Sequence, residues 1–334
     1  MQLQATSGAP LSPKCERVVR ALQFKYPDRL PVLYLNRDQH EGDVVVCWNL
    51  AFQDETRTTE WGIKFESLND GTMGQMTGHP IAEWSDLETY KFPELQPEKR
   101  REVLRQFVAE WPDHYRLASL NLSGFTCYCG LRGFENAMTD FAFDFEHANF
   151  LLTKIIDFEM ELIRVAGQEN MHGIILWDDW GHQDGLLIAP EMWRQWFRPH
   201  YERQFRLAHE LGLTVWFHCC GKIDAIVQDF HEIGVDVINI SQPNVVDLPR
   251  VGAGLRGKQA FMLPISYQTV SISGTPEDIQ AEAERLFGLL GTEQGGFVGY
   301  VEDYKCMGMS ETNYQACKLA FNRLKPDTAC ATAP

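Results

Sequence analysis

Positive charge is in short supply in this chain. Lys and Arg number 30 against 46 Asp and Glu, for a formal net charge of −16. Such a surface repels nucleic acid and anionic membranes, so neither is an expected partner. No run of about 18 apolar residues occurs, which leaves no candidate for a membrane-spanning helix. The opening MQLQATSGAPLSPK is polar and lacks the apolar core of a secretory signal. No internal repeat or low-complexity tract stands out, and no Gly-rich phosphate loop follows the first strand candidate, which counts against a dinucleotide-binding sheet. Cysteine is present but odd in number: nine residues, at 15, 47, 127, 129, 219, 220, 306, 317 and 330, are unevenly spaced. That pattern suits reduced thiols in a cytoplasm better than a disulfide framework, and it opens the question of metal binding or catalysis.

What is there is an ordinary globular composition, 44% hydrophobic and 23% charged over 334 residues, long enough for a large core. From residue 170 strands and helices alternate. GIILWDD, TVWFHCC, DVINIS, AFMLPIS and GGFVGYVED read as buried strands, and LPVLYLN and HYRLASLNL add two earlier ones. Between them lie helical segments such as APEMWRQWFRPHYERQFRLAHELG, and TPEDIQAEAERLFGLLG, which opens on a Thr cap and closes on glycine. A further long helix is expected near 145–166, and Ser310 is a candidate cap for the last one. Continuous apolar strands alternating with helices mean parallel strands covered by helices. Seven strand candidates against the eight of a closed barrel favour an α/β fold of the (β/α)8 TIM-barrel type over a doubly wound sheet.

The expected organisation is a single catalytic domain over 15–325 with flexible tails at 1–14 and 326–334. Residues from about 40 to 100 break the rhythm and suggest a hairpin-rich, lid-like insertion, although the same aromatic residues would serve a homodimer interface.

The stretch TVWFHCCGKID ends a strand with a histidine and two cysteines. Side chains alternate along a strand, so His218 and Cys220 point the same way and Cys219 the other. The carboxyl ends of barrel strands carry the active site, and a catalytic zinc wants three protein ligands and an open position. Alternatively, cysteine is a common core residue and His218 a satisfied polar one. The preferred third ligand is Cys306, on the loop after the last strand. Cys127 and Cys129 in FTCYCGLRG compete for that role, and Glu302 and Asp303 are carboxylate substitutes.

Other residues cluster at the same mouth. Asp178 and Asp179, in WDDWGHQDG, point to opposite sides, so one is expected to face the pocket as general acid, ligand support or substrate contact. His182 is a weaker candidate, read as surface. Asn239 and Gln242, in NISQPN, are candidate substrate contacts, with turn chemistry around Pro243 the bland alternative. Trp177 and Trp180, with Trp48, Trp61 and Trp216, suggest an apolar slot.

ILWDDWGHQDGLLIAPEMWRQWFRPHY and WFHCCGKIDAIVQDFHEIGVDVINISQP, with RALQFKYPDRLPV, EWG and HPIAEWSDLETYKFPE earlier, resemble the uroporphyrinogen decarboxylase superfamily. More narrowly they resemble its cobalamin-dependent methyltransferase branch. The resemblance implies a TIM barrel and a zinc ion held by a His-x-Cys pair and a late cysteine, here His218, Cys220 and Cys306. The stretch CMGMSETN that follows is shorter than the family's. It also implies a corrinoid cofactor, supplied by a partner protein or free, and a small-molecule methyl donor or acceptor; the aromatic mouth tilts the expectation towards demethylation of a small methoxylated or methylated compound. The alternatives are a tetrapyrrole decarboxylase and a non-catalytic corrinoid or tetrapyrrole binder. The decarboxylases carry an Arg-rich N-terminal signature, whereas LPVLYLNRDQHEGD has only Arg37.

Overall fold

The computed structural model describes residues 10–48, 57–66 and 74–324. Eight parallel strands close a barrel in simple sequential order. They are β1 (Val32–Leu35), β2 (Val44–Cys47), β3 (Tyr115–Leu122), β4 (Gly173–Trp177), β5 (Thr214–Cys219), β6 (Val237–Ile240), β7 (Ala260–Pro264) and β8 (Phe297–Glu302). β8 pairs with β1 to complete the circle. The strands are mostly apolar, and the helices between them cover the outside, so both faces of the strands are largely buried.

One strand was hidden in the sequence. VVVC, inside the segment read as insertion, is the barrel's β2 and pairs with both β1 and β3. The insertion therefore starts later than residue 40. Its described part holds one antiparallel pair, Lys64–Glu66 with Gln75–Gly78, and then a helix, Pro97–Glu110. Trp61 and Ile63 bury themselves there, Trp61 against Phe92 in the stretch before that helix and Phe158 of the helix Phe145–Gln168. The rest of the expected lid, residues 49–56 and 67–73, lies outside the described residues, as do the expected tails apart from 10–14. Of those, Pro13 and Lys14 already belong to a helix, Pro13–Leu22, capped by Ser12.

The helix signals hold where capping chemistry is explicit. Thr275 and Asp278 form a reciprocal capping box at the start of Pro276–Leu290, and Ser310 accepts from the Asn313 amide to open Glu311–Arg323. The long helix runs Phe145–Gln168. The segment read as one helix after β4 is two, Pro190–Trp196 and Arg198–Glu210, because Pro199 cannot continue the hydrogen-bond ladder of the first. Among the described residues, no helix is long and apolar enough to cross a membrane.

Register decides what meets at the mouth. Trp177 of β4 pairs with His218 of β5, and His218 with Asn239 of β6. Below them Ile175, Trp216, Val237, Met262, Val298 and Tyr300 fill the barrel interior. The floor is packed with buried side chains, and the candidate residues lie in the layer above it.

Candidate metal centre

The loops leaving β4 and β5 touch backbone to backbone. Gly221 has φ +79°, and a Cβ there would lie 2.1 Å from the Gly181 carbonyl carbon. Gly181 N–H donates to the Cys220 carbonyl at 3.2 Å, and Lys222 N–H to the His182 carbonyl at 2.8 Å. This crossing brings the residue after Asp178 against the end of β5.

Asp179, His218 and Cys220 form a group whose ligand atoms all lie within 4.8 Å of one another. His218 Nε2 is 3.5 Å from Cys220 Sγ and 3.8 Å from Asp179 Oδ1. Asp179 Oδ1 also accepts from the Cys220 amide at 2.8 Å, which fixes the carboxylate over the turn. Burial pushes the Cys220 thiol well above its ordinary value, and the Asp179 charge adds to this. An imidazole, a thiolate and a carboxylate at this spacing fit a zinc ion with one open position. Trp177 tilts over the His218 ring at 4.5 Å and stacks on Trp48 at 4.8 Å. Tyr267 and Tyr304, with rings 4.5 Å apart, and the carboxylate of Glu302 also sense the Cys220 thiol.

Residues 59–298 match the family described as Uroporphyrinogen decarboxylase (URO-D). That is most of the barrel. The chain belongs to the uroporphyrinogen decarboxylase family. Among solved structures, a methyltransferase from Methanosarcina mazei is similar at a TM-score of 0.70 and 14% identity, covering 93% of this chain and 98% of that one. At that identity the likeness establishes the fold. A Penicillium canescens endo-1,4-beta-xylanase, at a TM-score of 0.40 and 10% identity over 72% of this chain and 82% of that one, carries no argument. No curated protein matches the sequence.

Within this uroporphyrinogen decarboxylase family member the expected site residues divide. His218 and Cys220 come together, and Asp179 joins them from the loop after β4. Cys306 does not: it sits exposed on the turn Lys305–Met307, outside the group and beyond the residues that match the family. Cys127 and Cys129 do follow a strand, β3, but they lie in the helix Gly124–Arg132 rather than in extended chain where alternate residues share a face. Two residues apart on a helix they face different ways, and Cys127 is fully buried. Asp303 is engaged by Arg37 at 2.8 Å.

Asp178 is fully buried away from the mouth. It accepts from the Phe125 and Thr126 amides at 3.2 and 2.8 Å, from the Thr126 hydroxyl at 3.0 Å and from the Tyr201 hydroxyl. Burial drives its carboxyl up to about 7 against the pull of those donors, chiefly Tyr201. Its work is structural: it ties β4 to the start of the helix Gly124–Arg132. Trp180 packs in the core against Phe125, Phe197 and Trp193, so it lines no slot. Trp61 and Trp216 are buried too, which leaves Trp48 and Trp177 at the mouth. Gln242 spends its carbonyl oxygen on the Gly221 amide at 2.8 Å, bracing the turn after β5 rather than the turn around Pro243. Asn239 bonds His218 and the Met262 carbonyl. His182 is exposed. Asp179 was legible only as one of two adjacent acids, expected as general acid, ligand support or substrate contact; the crossing of the loops after β4 and β5 brings it to the His218–Cys220 pair.

Proposed function

We propose that this protein is a zinc-dependent methyltransferase, moving a methyl group between a small methylated compound and a corrinoid carried by a partner protein. The observation that carries the reading is the Asp179–His218–Cys220 group at the carboxyl end of the barrel, under the Trp48–Trp177 wall. Those three residues would hold the zinc, which when bound supplies Lewis acidity to the oxygen, nitrogen or sulfur that carries the methyl group. The chain's own part is to orient and to exclude water. Trp177 and Trp48 offer flat apolar faces suited to a methoxylated aromatic ring, and the packed barrel floor closes the site from below. The aromatic wall favours the demethylating direction.

The activity in the family's name is the weaker reading. A polycarboxylate tetrapyrrole needs basic side chains, and Arg37 is committed to Asp303 and Glu311. Segments 49–56 and 67–73 contain no Lys or Arg.

The test is zinc content by elemental mass spectrometry on protein purified without chelator, followed by methyl transfer to cob(I)alamin from a panel of methoxylated and methylated compounds. We expect near-stoichiometric zinc in the wild type and its loss in Asp179→Ala, His218→Ala and Cys220→Ser. Retention in Cys306→Ser leaves Asp179 as third ligand; loss there brings the Cys306 turn into the centre. A wild type that neither holds nor takes up metal sinks the proposal.

A further inference from the structure

Asn239 is fully buried beneath the candidate ligands, and both ends of its amide are engaged. Its Nδ2 donates to the Met262 carbonyl on β7 at 2.8 Å, and its Oδ1 lies 2.6 Å from His218 Nδ1. A backbone carbonyl can only accept, so the amide nitrogen must face Met262. The amide oxygen, itself only an acceptor, must then face the ring. At 2.6 Å that contact is favourable only if Nδ1 carries the proton. Reversing the amide would set two oxygens against each other at Met262, and moving the proton to Nε2 would set two lone pairs against each other at His218.

We propose that Asn239 is a positioning residue that holds the proton of neutral His218 on Nδ1, leaving the Nε2 lone pair directed at the space shared by Cys220 and Asp179. The device is built from register alone: His218 pairs with Asn239, and Asn239 with Met262, on three consecutive strands. Its value for metal binding rests on the zinc reading above; its control of the tautomer does not. A ligand histidine whose other ring nitrogen is engaged is pre-oriented and a better donor, and loss of such a partner typically weakens metal affinity by about 10–100-fold.

The experiment uses full-length, metal-free protein labelled with 15N-histidine. Long-range proton–nitrogen correlation reports which ring nitrogen bears hydrogen, with His218→Ala identifying the signal. The wild type should show Nδ1–H at neutral pH. Asn239→Ala should give a mixture of tautomers and a zinc affinity lower by about 10–100-fold in competition with a chromophoric chelator. Asn239→Asp should keep Nδ1–H and most of the affinity, because one carboxyl oxygen still accepts from the ring, at a cost in stability where its second oxygen meets the Met262 carbonyl. A wild-type His218 protonated on Nε2 overturns the inference, as does an Asn239→Ala protein with unchanged tautomer and affinity. If Asn239→Ala does not fold, the wild-type and Asn239→Asp spectra decide. Absence of zinc binding in the wild type defeats the functional reading while the ring signal still decides this one.

Discussion

Asp178 and Asp179 stand side by side in the chain and belong to different parts of the molecule. Strand alternation sends Asp178 outward, where two amides and two hydroxyls converge on it, and Asp179 to the mouth, where its side chain is 48% exposed. Neutral truncation should therefore give opposite phenotypes. Asp178→Ala leaves several buried donors without an acceptor, each costing about 1–3 kcal/mol, so we expect a loss of about 3 kcal/mol or more in urea unfolding. Asp179→Ala should change the unfolding free energy of metal-free protein by less than about 1 kcal/mol while zinc binding is lost. Equal destabilisation by the two would show that burial does not separate their roles.

The turn after β5 works only because two glycine backbones can cross. Gly221→Ala places a methyl at φ +79° against the Gly181 backbone, and both strain and clash act at the ligand pair. We expect a cost of about 2 kcal/mol and loss of bound zinc. Gly212→Ala is the control: φ is +76° but nothing lies within 4 Å of the added carbon, so it should cost only about 1 kcal/mol and keep zinc. Elements of this kind differ in how far sequence shows them. Long apolar strands such as GIILW and capped helices such as that after Thr275 announce themselves through periodicity and side-chain chemistry. β2 does not, because VVVC runs straight into a segment of mixed polar and aromatic character and no helix separates it from β1. The His218–Cys220 pair was legible from alternation within one strand. Asp179 and Asn239 were visible as candidates, but their roles depend on pairing between strands, which no local pattern encodes.

Behind the mouth, Glu159 and Asp178 share a buried region between the long helix, the helix Gly124–Arg132 and the helix Arg198–Glu210, and this region makes stability depend on pH. Glu159 accepts from the Gly124 amide at 2.8 Å and from the Gln204 side chain, and burial pushes its carboxyl from 4.5 up to about 8, with the nearby Asp178 adding to the rise. A folded-state value raised above the unfolded one means the native state holds a proton that the unfolded state releases. The resulting stability is complete below pH 4.5 and declines as pH rises through about 8, by up to about 1.4 kcal/mol per pH unit for such a group. Asp178, raised to about 7, acts in the same direction. Glu159→Gln removes the first contribution without removing the hydrogen bonds: the new amide oxygen can accept from Gly124, and its NH2 can meet Gln204 Oε1, which has no partner among the described residues. In urea unfolding at pH 5, 6, 7 and 8 the variant should gain on the wild type at each step upward. Parallel curves for the two proteins would mean that Glu159 is ionised at neutral pH and that its surroundings compensate the charge.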